Sequence, residues 1–261
     1  MKEMIYELIR YRELLYMMTW RDIRIRYKQS AMGFMWALLM PMLIVAAGMI
    51  VRAALSFVSG KQMNASDVVS VSVKALPWSF FIGSVRFATN SLTSNTNLVI
   101  KIYFPREIFP LSAVFANLFD FAVASLALIA VLVIANVGLS VYILWLPVLL
   151  VFLILLTAGA GMFLACANLF YRDVKYIVEV FLTFAIFFTP VFYEASLFGK
   201  WASLLMLNPA GSLLEAINAV IVLHRPPDLL WLAYSGVWSI GGFLLSWAIF
   251  HRAEFMFAEK I

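Results

Sequence analysis

Side chains able to do chemistry are few in this sequence, and they are spread thin. The two histidines, His224 and His251, belong to different apolar runs that end on opposite sides of the expected membrane, so they are expected not to meet. Carboxylates are equally scattered, with no His-Glu-x-x-His stretch and no paired acidic motif. Neither Gly60-Lys61 nor Gly199-Lys200 has the earlier glycine of a phosphate-binding loop, so the chain is not expected to hydrolyse ATP itself. The single cysteine, Cys166, lies in an apolar run and reads as a small buried hydrophobe without an intrachain partner.

Polarity inside otherwise apolar runs says more. Arg86, Asn90, Ser91, Thr93, Ser94 and Asn95 share one run, Asn117 and Asp120 the next, and Glu179 a later one. A charge at the bilayer centre costs about 2.5–3.5 kcal/mol on insertion scales, so these side chains must face protein or a water-filled path. Counted from the ends of their runs, Arg86 and Asp120 both fall near mid-depth. Two readings follow: an Arg86–Asp120 ion pair that ties two spans together, or, with Asn90 and Asn117, a polar lining for a hydrophilic substrate. Phe181, Phe184 and Phe188 share one helical face, with Tyr193 near its outer end. That face either packs on core or lipid, or stacks on the apolar faces of sugar rings, which can slide because stacking is not directional.

The elements that must position these groups are membrane helices. Of 261 residues, 64% are hydrophobic and 13% charged, with mean hydropathy +0.96. Soluble domains run at about 45–50% apolar and 25% charged, so a water-soluble globule is excluded. A span takes about 20 apolar residues, and runs at 31–51, 75–97, 108–135, 141–169, 176–193 and 229–250 make six. The expected fold class is all-α integral membrane, one domain over 1–261. The net charge of +5 belongs to residues flanking apolar runs rather than to a nucleic-acid face. Thirteen of the 19 basic residues fall on the side of the N terminus, among them Arg10, Arg21, Arg26, Lys101, Arg106 and Arg252. Only Arg52, Lys61, Lys74, Lys200 and Arg225 fall opposite, which places both termini in the cytoplasm.

Residues 1–28 carry charges throughout and no h-region, which excludes a cleavable signal peptide. Met4, Leu8, Tyr11, Leu15 and Met18, widened by Ile5 and Ile9, stand opposite Glu3, Glu7, Arg10 and Glu13, the pattern of an amphipathic helix on the inner membrane surface. Between the fifth and sixth spans, 195–228 is too apolar for an exposed loop yet is cut by Pro209, Pro226 and Pro227. Its two pieces are too short to span, which predicts a hairpin dipping into the outer leaflet or two helices lying flat on it. Ser212 and Glu215 have the spacing of a capping box, and Asn208, Pro209 and Gly211 supply a break with a hinge. The hairpin is expected to gate the outer mouth of a pore.

Two stretches go beyond composition. Trp20-Arg-Asp-Ile-Arg-Ile-Arg-Tyr-Lys-Gln-Ser30-Ala-Met-Gly33, followed by Trp36 and Pro41, resembles the approach to the first span in permeases of polysaccharide-export ABC transporters. Asn97-Leu-Val-Ile-Lys101-Ile-Tyr-Phe104-Pro105-Arg-Glu107-Ile108-Phe-Pro110 resembles the same family's first cytoplasmic loop. Asn168 to Val174, Thr189-Pro190-Val-Phe-Tyr193 and Asn208-Pro209 fall where that family has corresponding features, so the likeness covers essentially the whole chain. It is nearest to the O-antigen exporter permeases, the Wzm group, with capsule and teichoic-acid exporters close by.

The resemblance implies a homodimer joined to two copies of a separate nucleotide-binding ATPase in the cytoplasmic membrane, exporting lipid-linked polysaccharide. ATP and magnesium would sit on that partner, and this chain would bind no cofactor and no metal and be no enzyme. The loop 97–105 would then be a coupling helix, with Leu98, Val99, Lys101, Ile102, Phe104, Pro105 and Glu107 docking on the ATPase. A drug-export permease and a membrane enzyme acting on polyprenyl-linked sugars are the remaining alternatives. The enzyme would need an acidic or histidine cluster on a loop, which the sequence does not display.

Overall fold

A computed structural model describes residues 2–28, 33, 35–59, 65–101 and 104–257. Among them every regular element is helical. In chain order these are α1 (Lys2–Arg10), α2 (Arg12–Lys28), α3 (Met35–Ser59), α4 (Ala65–Asn90), α5 (Thr96–Lys101), α6 (Ile108–Ile134), α7 (Leu146–Phe170), α8 (Val174–Ala185), α9 (Ala202–Met206), α10 (Pro209–Ile221) and α11 (Leu229–Ala253). Among the described residues, four stretches are long and apolar enough to cross a membrane: Ser66–Asn90, Ile108–Ile134, Val141–Phe170 and Leu229–Met256. Within α3 the described residues include the apolar helix Leu38–Ala54.

The expected second span starts ten residues too late. Its true beginning, Ala65 to Lys74, carries Asp67, Ser70, Ser72 and Lys74, which dilute hydropathy, yet α4 is the central helix and hides Ser70, Ser72 and Lys74 inside protein. Ser70 Oγ donates to Asn218 Oδ1 at 2.8 Å and Ser72 Oγ to the Val68 carbonyl, so each hydroxyl is satisfied without water. Lys74 was expected outside the membrane. It lies within this helix, fully buried, beside Glu215 at 3.3 Å. Arg52 likewise lies within α3. The fifth expected span is also shorter than 176–193, because α8 has 12 residues, about 18 Å of helix, and gives way to turns after Ala185.

Small residues set the closest helix approaches. A Cβ on Gly159 of α7 would stand 2.9 Å from Phe243 Cα of α11, and one on Gly161 would stand 2.8 Å from Ala88 Cβ of α4. The backbones of α7 and α11 therefore meet directly, as in small-residue packing of membrane helices. At one end, Phe104, Ile108, Phe109, Met162, Trp247, Phe250 and Phe257 form a core. Leu8, Tyr11, Leu15 and Met18 pack onto it, so the expected amphipathic stripe meets this chain's own core.

The residues 195–228 form a more anchored unit than a free hairpin. Asn208 caps α10 by accepting from the Ala210 amide at 3.1 Å, and Pro209 occupies the first turn, so the expected break is present. The Ser212–Glu215 capping box is not. Ser212 lies inside α10 and donates to the Pro209 carbonyl, while Glu215 accepts from the Ala195 amide at 3.1 Å. Helix starts here at Asn208, a stronger cap placed before a proline. Gly211 has helical geometry, and its missing Cβ makes room for Pro190 Cδ, 2.9 Å from where that Cβ would be. Close packing, rather than hinge freedom, explains the glycine.

Candidate functional site

Some of the polar groups of the membrane helices line one cavity of about 380 Å³ near the α2 end of the bundle. Arg26, Tyr27, Arg86, Phe87, Asn117 and Asp120 line it. α2 reaches this cavity by running along α6. Ser112 of α6 donates to Asp22 Oδ2 at 3.0 Å, and one turn further along α2 Arg26 pairs with Asp120. Tyr27 donates its hydroxyl to the same carboxylate, and burial together with that carboxylate pushes the phenol well above its usual range. Arg26 also donates to Asn117 Oδ1 at 3.3 Å and stacks over Phe87, with its Cζ 4.2 Å from the ring centre. Gly83 leaves space for Asn117 to approach.

Arg86 and Asp120 thus share a cavity and are not partners. Arg86 holds Glu179 of α8 bidentately, with Nε and Nη2 each 2.8 Å from a carboxylate oxygen. The difference follows from helix register: α4 ends at Asn90, so Arg86 sits about one turn from a helix end rather than at mid-depth. At that level the facing acid is on α8. Asn90 turns back to donate to the Arg86 carbonyl at 3.1 Å while lining an adjoining cavity with Asp22, Arg26 and Asn95. Sequence reasoning missed Arg26 and Tyr27, whose partner lies more than 90 residues away.

Above Glu179, the outer face of α8 is open. Phe181, Phe184 and Phe188 are exposed and line a cavity of about 740 Å³ with Tyr176, Trp78 and Phe81. Asn208 borders this cavity. Tyr193 does not belong to the stripe. It is buried, donates its hydroxyl to the Phe187 carbonyl at 2.8 Å and packs on Phe198.

The coupling segment is half hidden. Val99 is fully buried and Phe104 is 5% exposed, both in the core with Met18 and Phe257, and Leu98 packs against the same core. Pro105 and Glu107 are buried as well. Val99 and Phe104 therefore hold the loop to its own chain and are not on the surface as the expected docking patch requires, while Leu98 is half-buried. Asn97, Ile100 and Lys101 are the exposed residues of α5. Ile102 lies outside the described residues.

One grouping overturns the expectation of scattered acids. Glu107, His251 and Glu254 come together where the loop meets the end of α11, and the spacing of His251 and Glu254, three residues apart on one helical turn, is the sequence mark that went unread.

Residues 13–222 match the family described as ABC-2 type transporter. The chain is 32% identical over 268 residues to a Myxococcus xanthus protein named O-antigen export system permease protein RfbA, covering all of both chains. A Klebsiella pneumoniae protein of the same name is 28% identical over 255 residues, covering 95% of this chain and 94% of its own.

Proposed function

The chain belongs to the ABC-2 type transporter family, and on that premise we propose that it is the membrane subunit of an ATP-driven exporter of lipid-linked, O-antigen-type polysaccharide. Its full-length likeness to proteins named O-antigen export permeases supports the substrate class. The structural observation that carries the reading is the exposed Phe181–Phe184–Phe188 face above the Arg86–Glu179 pair. Three aromatic rings side by side suit a glycan that must slide, since stacking holds a sugar without fixing its position. Arg26 and Arg86 line one and the same cavity, where their guanidiniums suit the phosphate that joins a glycan to its lipid.

In this reading α3, α4, α6, α7, α8 with the turns after it, and α11 provide six spans of a multi-pass inner-membrane protein with both termini cytoplasmic. Two copies face each other across their α8 surfaces and enclose the channel. A separate ATPase, with its own ATP and magnesium, docks on the exposed Asn97, Ile100 and Lys101 of α5. The outer gate is the unit from Pro190 to α10, moving as one body. Gly211 is fitted onto Pro190, and Asn208 Nδ2 donates to Thr189 Oγ1 at 2.9 Å, two contacts that join the turns after α8 to the start of α10.

A chromosomal deletion complemented by the wild-type chain or by Phe181, Phe184 and Phe188 changed together to alanine tests this function. Loss of surface polysaccharide with accumulation of its lipid-linked form inside the cell is expected in the deletion and in the triple variant. Normal surface polysaccharide in the deletion would remove the reading.

A further inference from the structure

We propose that Glu107, His251 and Glu254 form a divalent transition-metal site that clasps the α5–α6 loop to the end of α11. One donor atom from each residue lies within 4.8 Å of the other two. His251 Nδ1 is 3.1 Å from Glu107 Oε1 and 3.7 Å from Glu254 Oε2. A tetrahedral zinc-like ion, with bonds of about 2.0–2.2 Å, sets its donors about 3.3–3.6 Å apart, so small side-chain adjustments bring all three to one centre. One imidazole with two carboxylates suits zinc and its neighbours in the first transition row better than the oxygen-seeking magnesium or calcium.

A second observation asks for a cation. Glu107 is 3% exposed, and its Oε2 has no hydrogen-bond partner among the described residues. A buried carboxylate oxygen left bare is costly unless a donor or a cation answers it. Arg106, its neighbour in the chain, turns its two Nη groups elsewhere: they donate to the Glu254 and Val99 carbonyls at 2.7 and 3.2 Å, Nη1 stands 4.0 Å from Glu254 Oε1, and the buried Nε, like Glu107 Oε2, has no partner among the described residues. The Arg106 amide donates to that same Oε1 at 3.0 Å, which orients Glu254 so that Oε2 turns toward His251, the outer-sphere support that metal ligands commonly have. His251 is about one third exposed, leaving a path for the ion and a fourth position for water.

The consequence is mechanical. Glu107 immediately precedes α6, and His251 and Glu254 close α11, so the ion would tie the loop carrying α5 to a helix 144 residues later in the chain. The proposal does not depend on which substrate the chain moves.

The test uses the untagged full-length chain in detergent, titrated with Co²⁺ and then Zn²⁺. The expected result is one Co²⁺ per chain with visible absorption typical of four-coordinate cobalt, abolished by one equivalent of Zn²⁺. His251→Ala and Glu254→Gln are each expected to weaken binding at least about tenfold, while His224→Ala, at the other histidine, leaves it unchanged. If His251→Ala does not stay monodisperse, Glu254→Gln carries the comparison. Absence of binding up to about 100 μM metal, or undiminished binding in Glu254→Gln, would overturn the site and leave a histidine bridging two acids by hydrogen bonds alone.

Discussion

Asp120 offers a sharp test of how the charged groups are partnered. Its carboxylate is 18% exposed, and Arg26, which it pairs with, is 23% exposed. Arg86 and Glu179 are 42% and 52% exposed. Removing one member of a buried pair costs about 3–5 kcal/mol, whereas an exposed pair contributes about 0.2–1 kcal/mol. With roughly four fifths of each group withdrawn from solvent, Asp120→Ala should cost about 2–3 kcal/mol, a 30- to 150-fold shift in the folding equilibrium. Glu179→Ala should cost under about 1 kcal/mol. A double-mutant cycle then separates partners from neighbours. Arg26→Ala with Asp120→Ala should show a coupling of about 1 kcal/mol or more, because both singles remove the same contact. Arg86→Ala with Asp120→Ala should be additive within about 0.5 kcal/mol, the spread for groups without a shared bond. Unfolding in mixed micelles, followed by tryptophan fluorescence, gives the four stabilities in each cycle. A larger coupling for Arg86–Asp120 than for Arg26–Asp120 would refute the assignment of partners.

Three further outcomes follow from particular contacts. Ile100→Asp, on the exposed face of α5, should leave the chain monodisperse but weaken retention of the ATPase in a pull-down, whereas Phe104→Asp should unfold the core around Phe109 and Phe257 and show as aggregation on size exclusion. Gly159→Ala should cost about 1–3 kcal/mol by pressing on the Phe243 backbone, while Gly241→Ala, with nothing within 4 Å, should be neutral or slightly stabilising in the same unfolding assay. Lys74→Met should destabilise by about 3–5 kcal/mol because it strands Glu215, and Lys74→Met with Glu215→Gln should recover at least half of that loss; additive losses would show that the two groups are not coupled.

Apolar run length was legible in the sequence because backbone groups in lipid must bond within their own helix, so α6, α7 and α11 lie close to where hydropathy put them. The start of α4 was not, since hydropathy assumes lipid around a helix and this one is surrounded by protein. Lys74 reads as a loop residue until Glu215, 141 residues later, stands beside it. The charged residues of the cavity were legible as unusual, but their partners were not, because pairing depends on register between helices distant in sequence. Val99 and Phe104 show a converse limit: an apolar loop residue announces burial without saying whether its own chain or a partner supplies it. The trio of Glu107, His251 and Glu254 was half visible, as an i, i+3 pair whose third member came from the loop between α5 and α6.

Export itself is the most direct measurement. Proteoliposomes containing this chain and its ATPase, loaded on the ATPase side with lipid-linked O-antigen-type polysaccharide, can be sampled for glycan on the opposite side by an added, membrane-impermeant glycosidase. The account predicts ATP-dependent appearance of cleavable glycan, lost when Phe181, Phe184 and Phe188 are changed together to alanine while ATP hydrolysis continues. Glycan that stays protected while the same vesicles export a small amphipathic drug would contradict it.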